Sequence, residues 1–304
     1  MRPNLSRILG VVAGAIAMSS CATPPGPPAP SARGGPPAAR GYIDVGLAAQ
    51  AAPFEAYTRR AAAIDPSFSG PAEIAADLTT AAGYEPRQLE ASMIAYGALA
   101  ALQEPGFVEA VRHADRRDLA RRLAADPDAA LSLPSASAAA GRANAALTRR
   151  GEALAGAGQR VRKAAYAVQR QAWSKAKIPN AAARLAAVKR AAAYRAEPAD
   201  RAEVAAAVTE AGRRSGNSPV VARSLAVAAL TVAGQDSAAR SLMSEPRSAQ
   251  CLRWAKLNYH QCLAAAGTHY EDIYCLGLHA MADPGQCVVE ATRATRSVRR
   301  ASLD

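Results

Sequence analysis

Apolar residues recur at threes and fours along most of the chain, and alternating runs that would form strands are nearly absent. The spacing predicts a first helix over Val45 to Ala63, bent at Pro53, then a turn at Ser69-Gly70-Pro71. Pro71 suits a helix start, where a missing N–H costs nothing, ahead of Ile74 and Leu78; Gly83 fits the stop. Pro86 opens a third helix on Leu89, Met93, Tyr96 and Leu99, and Pro105-Gly106 breaks it. Phe107 to Ala124 reads as one helix ending near Asp126-Pro127. Ser135 or Ser137 is placed to cap a helix that meets no proline until Pro179, a run of about 40 residues and some 60 Å. Gly151, Gly156 and Gly158 fall inside that run and weaken it locally. Asn180 caps a continuation through Arg195, Pro198 starts another helix, and Val220 to Val232 is stopped by Gly234. A helix from Ser248 to Gly267 and a second from Tyr270 to Ala282 precede a break at Asp283-Pro284-Gly285.

Composition sharpens this picture. Alanine is the commonest residue and aromatics make up 5% of the chain. Small side chains let helices approach closely but bury little surface each, so the fold needs many helix–helix contacts. The expected class is all-α: an Ala-rich multi-helix bundle or array with one long basic helix and a C-terminal disulfide-stapled helical hairpin. Helix pairs recur without repeated signature residues, so a solenoid is only weakly indicated.

Charge is concentrated. Residues 44–137 hold 13 acids and 8 bases, net −5, whereas residues 142–195 hold 13 bases and the single acid Glu152, net +12. On the long helix Leu147, Leu154, Val161 and Val168 recur every seven residues, and Gly151, Gly158, Ala165 and Ala172 follow four positions later. An apolar stripe beside a small-residue stripe is a seam for a closely packed partner helix. About 200° round the helix lie Arg149, Lys163 and Arg170, with Arg142 and Lys177 in the same register. Tyr166 and Trp173 stand one turn from Arg162, Arg170 and Lys177, near enough for cation–aromatic contact. Three uses of this face are consistent with the sequence. It is a solvated surface, an anion-binding surface built from Arg142, Arg149, Arg162, Lys163, Arg170, Lys177, Tyr166 and Trp173, or a docking strip for the acidic 44–137 stretch.

Four cysteines, Cys251, Cys262, Cys275 and Cys287, fall within 37 residues, which reads as a disulfide framework. Three pairings are possible; a hairpin turning near Gly267 favours the nested Cys251–Cys287 and Cys262–Cys275. Coiled-coil-helix domains look similar but keep nine residues between paired cysteines, where this chain has ten and eleven, so the likeness is an analogy. His260, His269 and His279 share the region, yet no tight CxxC-type ligand pair is present and no metal is expected.

The first residues change the setting. Arg2 and Arg7, an apolar run from Ile8 to Met18 and then Ser19-Ser20 make an export signal, too short to span a bilayer. Met18-Ser19-Ser20-Cys21 resembles the lipobox of bacterial lipoproteins, with Met18 where that family usually has Leu. The resemblance covers residues 1–21 alone. It implies cleavage before Cys21 and acyl chains on that residue. Ala22 is not the aspartate often found in lipoproteins kept at the inner membrane, so the resemblance implies the outer membrane, facing periplasm or cell surface. Ala22 to Pro37, with PPGPPAP and GGPP, is a stiff tether. The expected organisation is a signal over 1–20, anchor and tether over 21–43, an acidic helical array over 44–134, the basic helix and its followers over 135–247, and the four-Cys hairpin and tail over 248–304.

Catalytic signatures are lacking: the chain has no GxSxG, HExxH, P-loop or GxGxxG. His113 with Asp115 and Asp118, and Glu271-Asp272 beside His269 and Tyr270, are the only acid–base groupings to be drawn, and both are unspecific. The expectation is therefore a non-enzymatic binding or scaffolding lipoprotein without cofactor. Its partners would be the membrane, through the anchor, and anionic lipid, polysaccharide, peptidoglycan or acidic protein; nucleic acid is not expected in that compartment. The competing expectation is a helical partner-binding module of a secretion, pilus or envelope-assembly machine.

Overall fold

Proline and short polar side chains set where the helices begin. The computed structural model describes residues 42–192 and 197–294; Cys21, the leader and the tether through residue 41 lie outside them, as does Arg195. In chain order come α1 (Val45–Ala62), α2 (Pro71–Ala81), α3 (Pro86–Ala101), α4 (Pro105–His113) and α5 (Arg116–Ala125). A 3-10 turn (Pro127–Ser132) leads to α6 (Ala136–Val168), α7 (Ala172–Lys175), α8 (Ala181–Arg190), α9 (Pro198–Thr209) and α10 (Pro219–Val232). Last are α11 (Asp236–Ser241), α12 (Pro246–Ala265), α13 (His269–Cys275), a π-helical turn (Leu276–Ala282) and α14 (Asp283–Ala291). The described residues form no β-strand; an isolated bridge joins Lys177 to Thr268. Pro71, Pro86, Pro105, Pro198, Pro219 and Pro246 each occupy the first turn of a helix. Asp44 accepts from Leu47 N at 2.7 Å, Asn180 from Ala183 N at 3.0 Å and Ser218 from Val221 N at 3.1 Å, satisfying orphan donors at three starts.

Several boundaries differ from the sequence pattern, three of them for a clear local reason. Phe107 to Ala124 is two helices, because Ala114 turns extended and Asp115 caps α5 by accepting from Asp118 N at 2.7 Å. The long helix ends at Val168, after 33 residues rather than about 40. Nothing in the propensity of Gln169-Arg170-Gln171 breaks it. Instead the Ser174 hydroxyl donates to Val168 O at 2.6 Å, and Ile178 N donates to Gly267 O at 3.0 Å, tying the following segment to the turn after α12. The expected break at Pro284 is absent. Proline has no N–H for the carbonyl four residues back, so the chain widens into the π turn, where Asp283 N reaches Leu278 O. The Ala280 carbonyl accepts from the Tyr57 hydroxyl at 2.7 Å instead.

The sequence segments do not have separate cores. One cluster of buried apolar side chains runs from Leu47 to Val288, and α1, α3, α6 and α10 all contribute to it. The cysteine helices are bound into it by the seam on α6. A Cβ on Gly277 would stand 2.8 Å from Arg162 Cα; on Gly285, 2.9 Å from Ala155 Cα; on Gly158, 2.9 Å from Ala282 Cα. Such backbone-to-backbone packing gives the glycines in α6 a use that offsets their cost of about 1 kcal/mol each in a helix. The two disulfides are Cys251–Cys287 and Cys262–Cys275, joining α12 to α14 and to α13.

Candidate functional site

Following α6 from its start, the predicted cations are taken up one by one. Arg142 Nε donates to Glu104 at 3.3 Å, and Glu104 also accepts from Arg213 at 2.6 Å. Arg149 spans to the end of α9, donating to Ala207 O at 2.6 Å and Glu210 O at 3.2 Å, where the helix leaves carbonyls unpaired. Arg150 pairs with Glu55, a carboxylate with no solvent exposure, and also donates to the Tyr96 hydroxyl at 3.3 Å. Burial raises the Glu55 carboxyl above its ordinary range, against the pull of Arg150 and Arg59. This first half of α6 is thus a docking strip for acids of the 44–137 stretch.

Beyond Gly158 the pattern changes. Arg162 is half-buried and its Nε has no hydrogen-bond partner. Lys163 and Arg170 are exposed, and among the described residues no carboxylate pairs with either. Since α6 ends at Val168, Arg170 lies in the turn and Lys177 in the bridge to Thr268, so the continuous register from Arg142 to Lys177 is broken. Trp173 packs partly into the core and its indole N–H donates to Gln171, away from any stack of cations. Tyr166 is 61% exposed and meets Tyr274 rather than an arginine: the ring centroids are 6.3 Å apart with planes at 82°. The anion surface drawn from the sequence is therefore divided, and Lys163, Tyr166 and Arg170 remain together at one end.

Of these three, Tyr166 lines a cavity of ≈360 Å³. Ala165, Tyr166 and Gln169 form one wall; the other comes from Ala265 and Ala266 with the Cys262–Cys275 disulfide, and from Tyr270, Glu271 and Tyr274. The walls hold because the disulfide ties α12 to α13 and because Glu271 closes the turn between them. Its Oε2 accepts from Gly267 N at 2.7 Å and Thr268 N at 2.9 Å. Burial works to raise that carboxyl, but these hydrogen bonds outweigh it and hold Glu271 below the ordinary carboxylate range. Asp272, next in sequence, turns inward to Arg184, whose guanidinium also serves the Leu263 and Ala266 carbonyls at the end of α12. Burial moves Asp272 up to about 6 in spite of that partner. No protein family matches this chain, nor does any curated protein or solved structure.

The acid–base groupings drawn from sequence are occupied with structure. Glu271 is a cap, Asp272 an ion-pair partner, and His113 is exposed and bound to Glu109 at 2.8 Å. His260 is poorly placed as an acid or base: burial first, then Lys256 and Lys189, hold it down to about 4. Among the described residues no group of three or more His, Cys, Asp or Glu side chains is placed to hold a metal ion, and no helix is long and apolar enough to cross a membrane. Sequence reasoning overlooked Gln169 and Tyr274, and named Tyr270 only beside an acid–base pair. Their one signal was the i,i+4 spacing of Tyr270 and Tyr274; that they oppose Tyr166 depends on a contact between segments about a hundred residues apart.

Proposed function

We propose that this chain is a non-catalytic binding or scaffolding lipoprotein of the cell envelope, acylated at Cys21 and held at the outer membrane, whose contact site is the tyrosine-lined cavity at the end of α6. The observation that carries the reading is the cavity itself. It is concave, largely apolar and bounded by aromatic rings with two polar side chains, Gln169 and Glu271, the composition of a ligand or partner site. Its size lies within the roughly 300–1,000 Å³ usual for such sites. The pairing of Arg142, Arg149 and Arg150 inside the molecule favours this end over the basic stripe. A helical partner of an assembly machine, seating an apolar side chain here, is a form of the same reading.

Detergent-solubilised envelopes passed over the immobilised protein at low and high salt test it. Tyr166→Ala with Tyr274→Ala should abolish retention of whatever the wild type holds, and retention should resist salt. Unchanged retention by a folded double variant rejects the cavity as the contact. The address is tested separately: the mature protein should begin at an acylated Cys21, and a retained leader or a free thiol there rejects the anchor.

A second reading draws support from the exposure of Lys163, Arg170 and Lys177, which leaves three cations for anionic envelope material. Reversing their charge would then abolish binding that weakens steeply with salt; binding indifferent to both changes rejects it.

A further inference from the structure

We propose that the cavity at the end of α6 is a cage for the quaternary ammonium of a phosphocholine group, with Lys163 and Arg170 beside it for the phosphate. This rests on the reading of the cavity as a contact site and names its ligand. Tyr166, Tyr270 and Tyr274 border the cavity, and the rings of Tyr166 and Tyr274 meet edge to face with near-perpendicular planes. A cation within about 6 Å of a ring centroid is attracted to the ring face. The lining side chain that carries a charge, Glu271, is an anion, so the cavity itself favours a positive guest. Its Oε2 accepts two backbone N–H groups, which fixes the carboxylate where it lines the cavity.

Hydrogen-bonding capacity decides which kind of cation. A lysine ammonium brings three donors and an arginine five, and each must be satisfied when buried. Its side-chain acceptors are Gln169, the tyrosine hydroxyls and Glu271, the last already engaged by two backbone N–H groups, and the rest of the lining is alanine and a disulfide. A trimethylammonium has no N–H at all. It needs apolar contact, ring faces and one counter-charge, which is what this lining supplies.

The surroundings specify what the ammonium is attached to. Lys163 lies one turn before Tyr166 on α6, and Arg170 follows Gln169; both are exposed and without a carboxylate partner among the described residues. A free quaternary cation gains nothing from them. A phosphate joined to it by a short linker does, and a carboxylate in the lining with exposed cations three residues before Tyr166 and one after Gln169 suits a zwitterion.

The test is calorimetric titration of the full acylated protein, kept in a maltoside detergent, with choline, phosphocholine and inorganic phosphate. Phosphocholine should bind saturably, choline several-fold more weakly, and phosphate alone negligibly. Tyr274→Ala and Glu271→Gln should each weaken choline and phosphocholine by about tenfold or more; glutamine at this position still accepts the capping hydrogen bonds, so folding is preserved. Lys163→Ala with Arg170→Ala should reduce phosphocholine to the level of choline and leave choline unchanged. Monomeric short-chain phosphatidylcholine separates the two sources: tighter binding than free phosphocholine assigns a lipid headgroup, equal binding a soluble phosphocholine ester. No saturable binding of either choline or phosphocholine overturns the proposal, as does binding unaffected by Tyr274→Ala. If the tyrosine variants lose envelope retention while neither compound binds, the cage fails and the contact site stands.

Discussion

At the N-terminal end of α6, Arg142, Arg149 and Arg150 point at carboxylates and helix-end carbonyls; at the C-terminal end, Lys163, Tyr166 and Arg170 point at solvent and a cavity. Both ends are rich in alanine and carry several cations. What separates them is what packs alongside. α1 and α4 bring Glu55 and Glu104 to the first half, whereas the second half faces α13 and the disulfide, which bring tyrosines. A net charge of +12 over one segment thus says little about how much of it is available. Each cation has to be followed to its partner before it is counted as a surface.

The comparison is broken most severely at the seam that holds both ends in place. Gly277→Val drives a branched side chain into the backbone of Arg162 and should cost more than about 4 kcal/mol or leave no folded protein, read by chemical denaturation. Arg150→Ala strands Glu55 without its main counter-charge and should cost about 3–5 kcal/mol. Replacing both with methionine should cost clearly less than Arg150→Ala alone, and an equal loss would deny the pair its role. Removing Cys251–Cys287 by serine substitution at both positions should cost about 2–4 kcal/mol, seen as a lower midpoint in urea.

A cation buried without an ion-pair partner among the described residues sharpens the contrast by pH. Lys256 is buried, donates to Ala82 O at 2.7 Å and lies 4.3 Å from the Tyr84 ring centroid. Burial brings its ammonium down to about 8, with Glu85 opposing. Between that value and the ordinary 10.5 the unfolded chain holds a proton that the folded chain has released, so this contribution to stability rises with pH across the window. Wild type should gain about 2 kcal/mol on Lys256→Met between pH 8 and 10; a constant difference would contradict the assignment. The smallest effect belongs to the open end of α6. Lys163→Ala and Arg170→Ala should each stay within about 0.5 kcal/mol of wild type in stability, and a loss like that of Arg150→Ala would show that they too are paired.

Much of the fold was legible because its signals are local. Pro71, Pro86 and Pro198 at helix starts, Asn180 as a cap and Gly234 as a stop act within one turn of themselves. The seven-residue alternation of Leu147 to Val168 with Gly151 and Gly158 likewise announced a close-packed face, and the cysteine spacing the nested bridges. The end of α6 was not legible, since it depends on Ser174 and on a hydrogen bond to Gly267 almost ninety residues away. Nor was the fate of the arginines, which depends on where Glu55 and Glu104 arrive. The candidate site was legible only at Tyr166, Lys163 and Arg170; its other wall exists through the disulfide and the turn closed by Glu271.

The central claim is that contact runs through the cavity and not through the whole basic stripe. Retention of solubilised envelope material by wild type, by Tyr166→Ala with Tyr274→Ala, and by Lys163→Glu with Arg170→Glu, each across a salt series, tests it most directly. The account predicts that the tyrosine variant retains nothing at any salt, while the charge variant keeps a weakened, salt-resistant share. Full retention by the tyrosine variant, with complete loss by the charge variant, would contradict it.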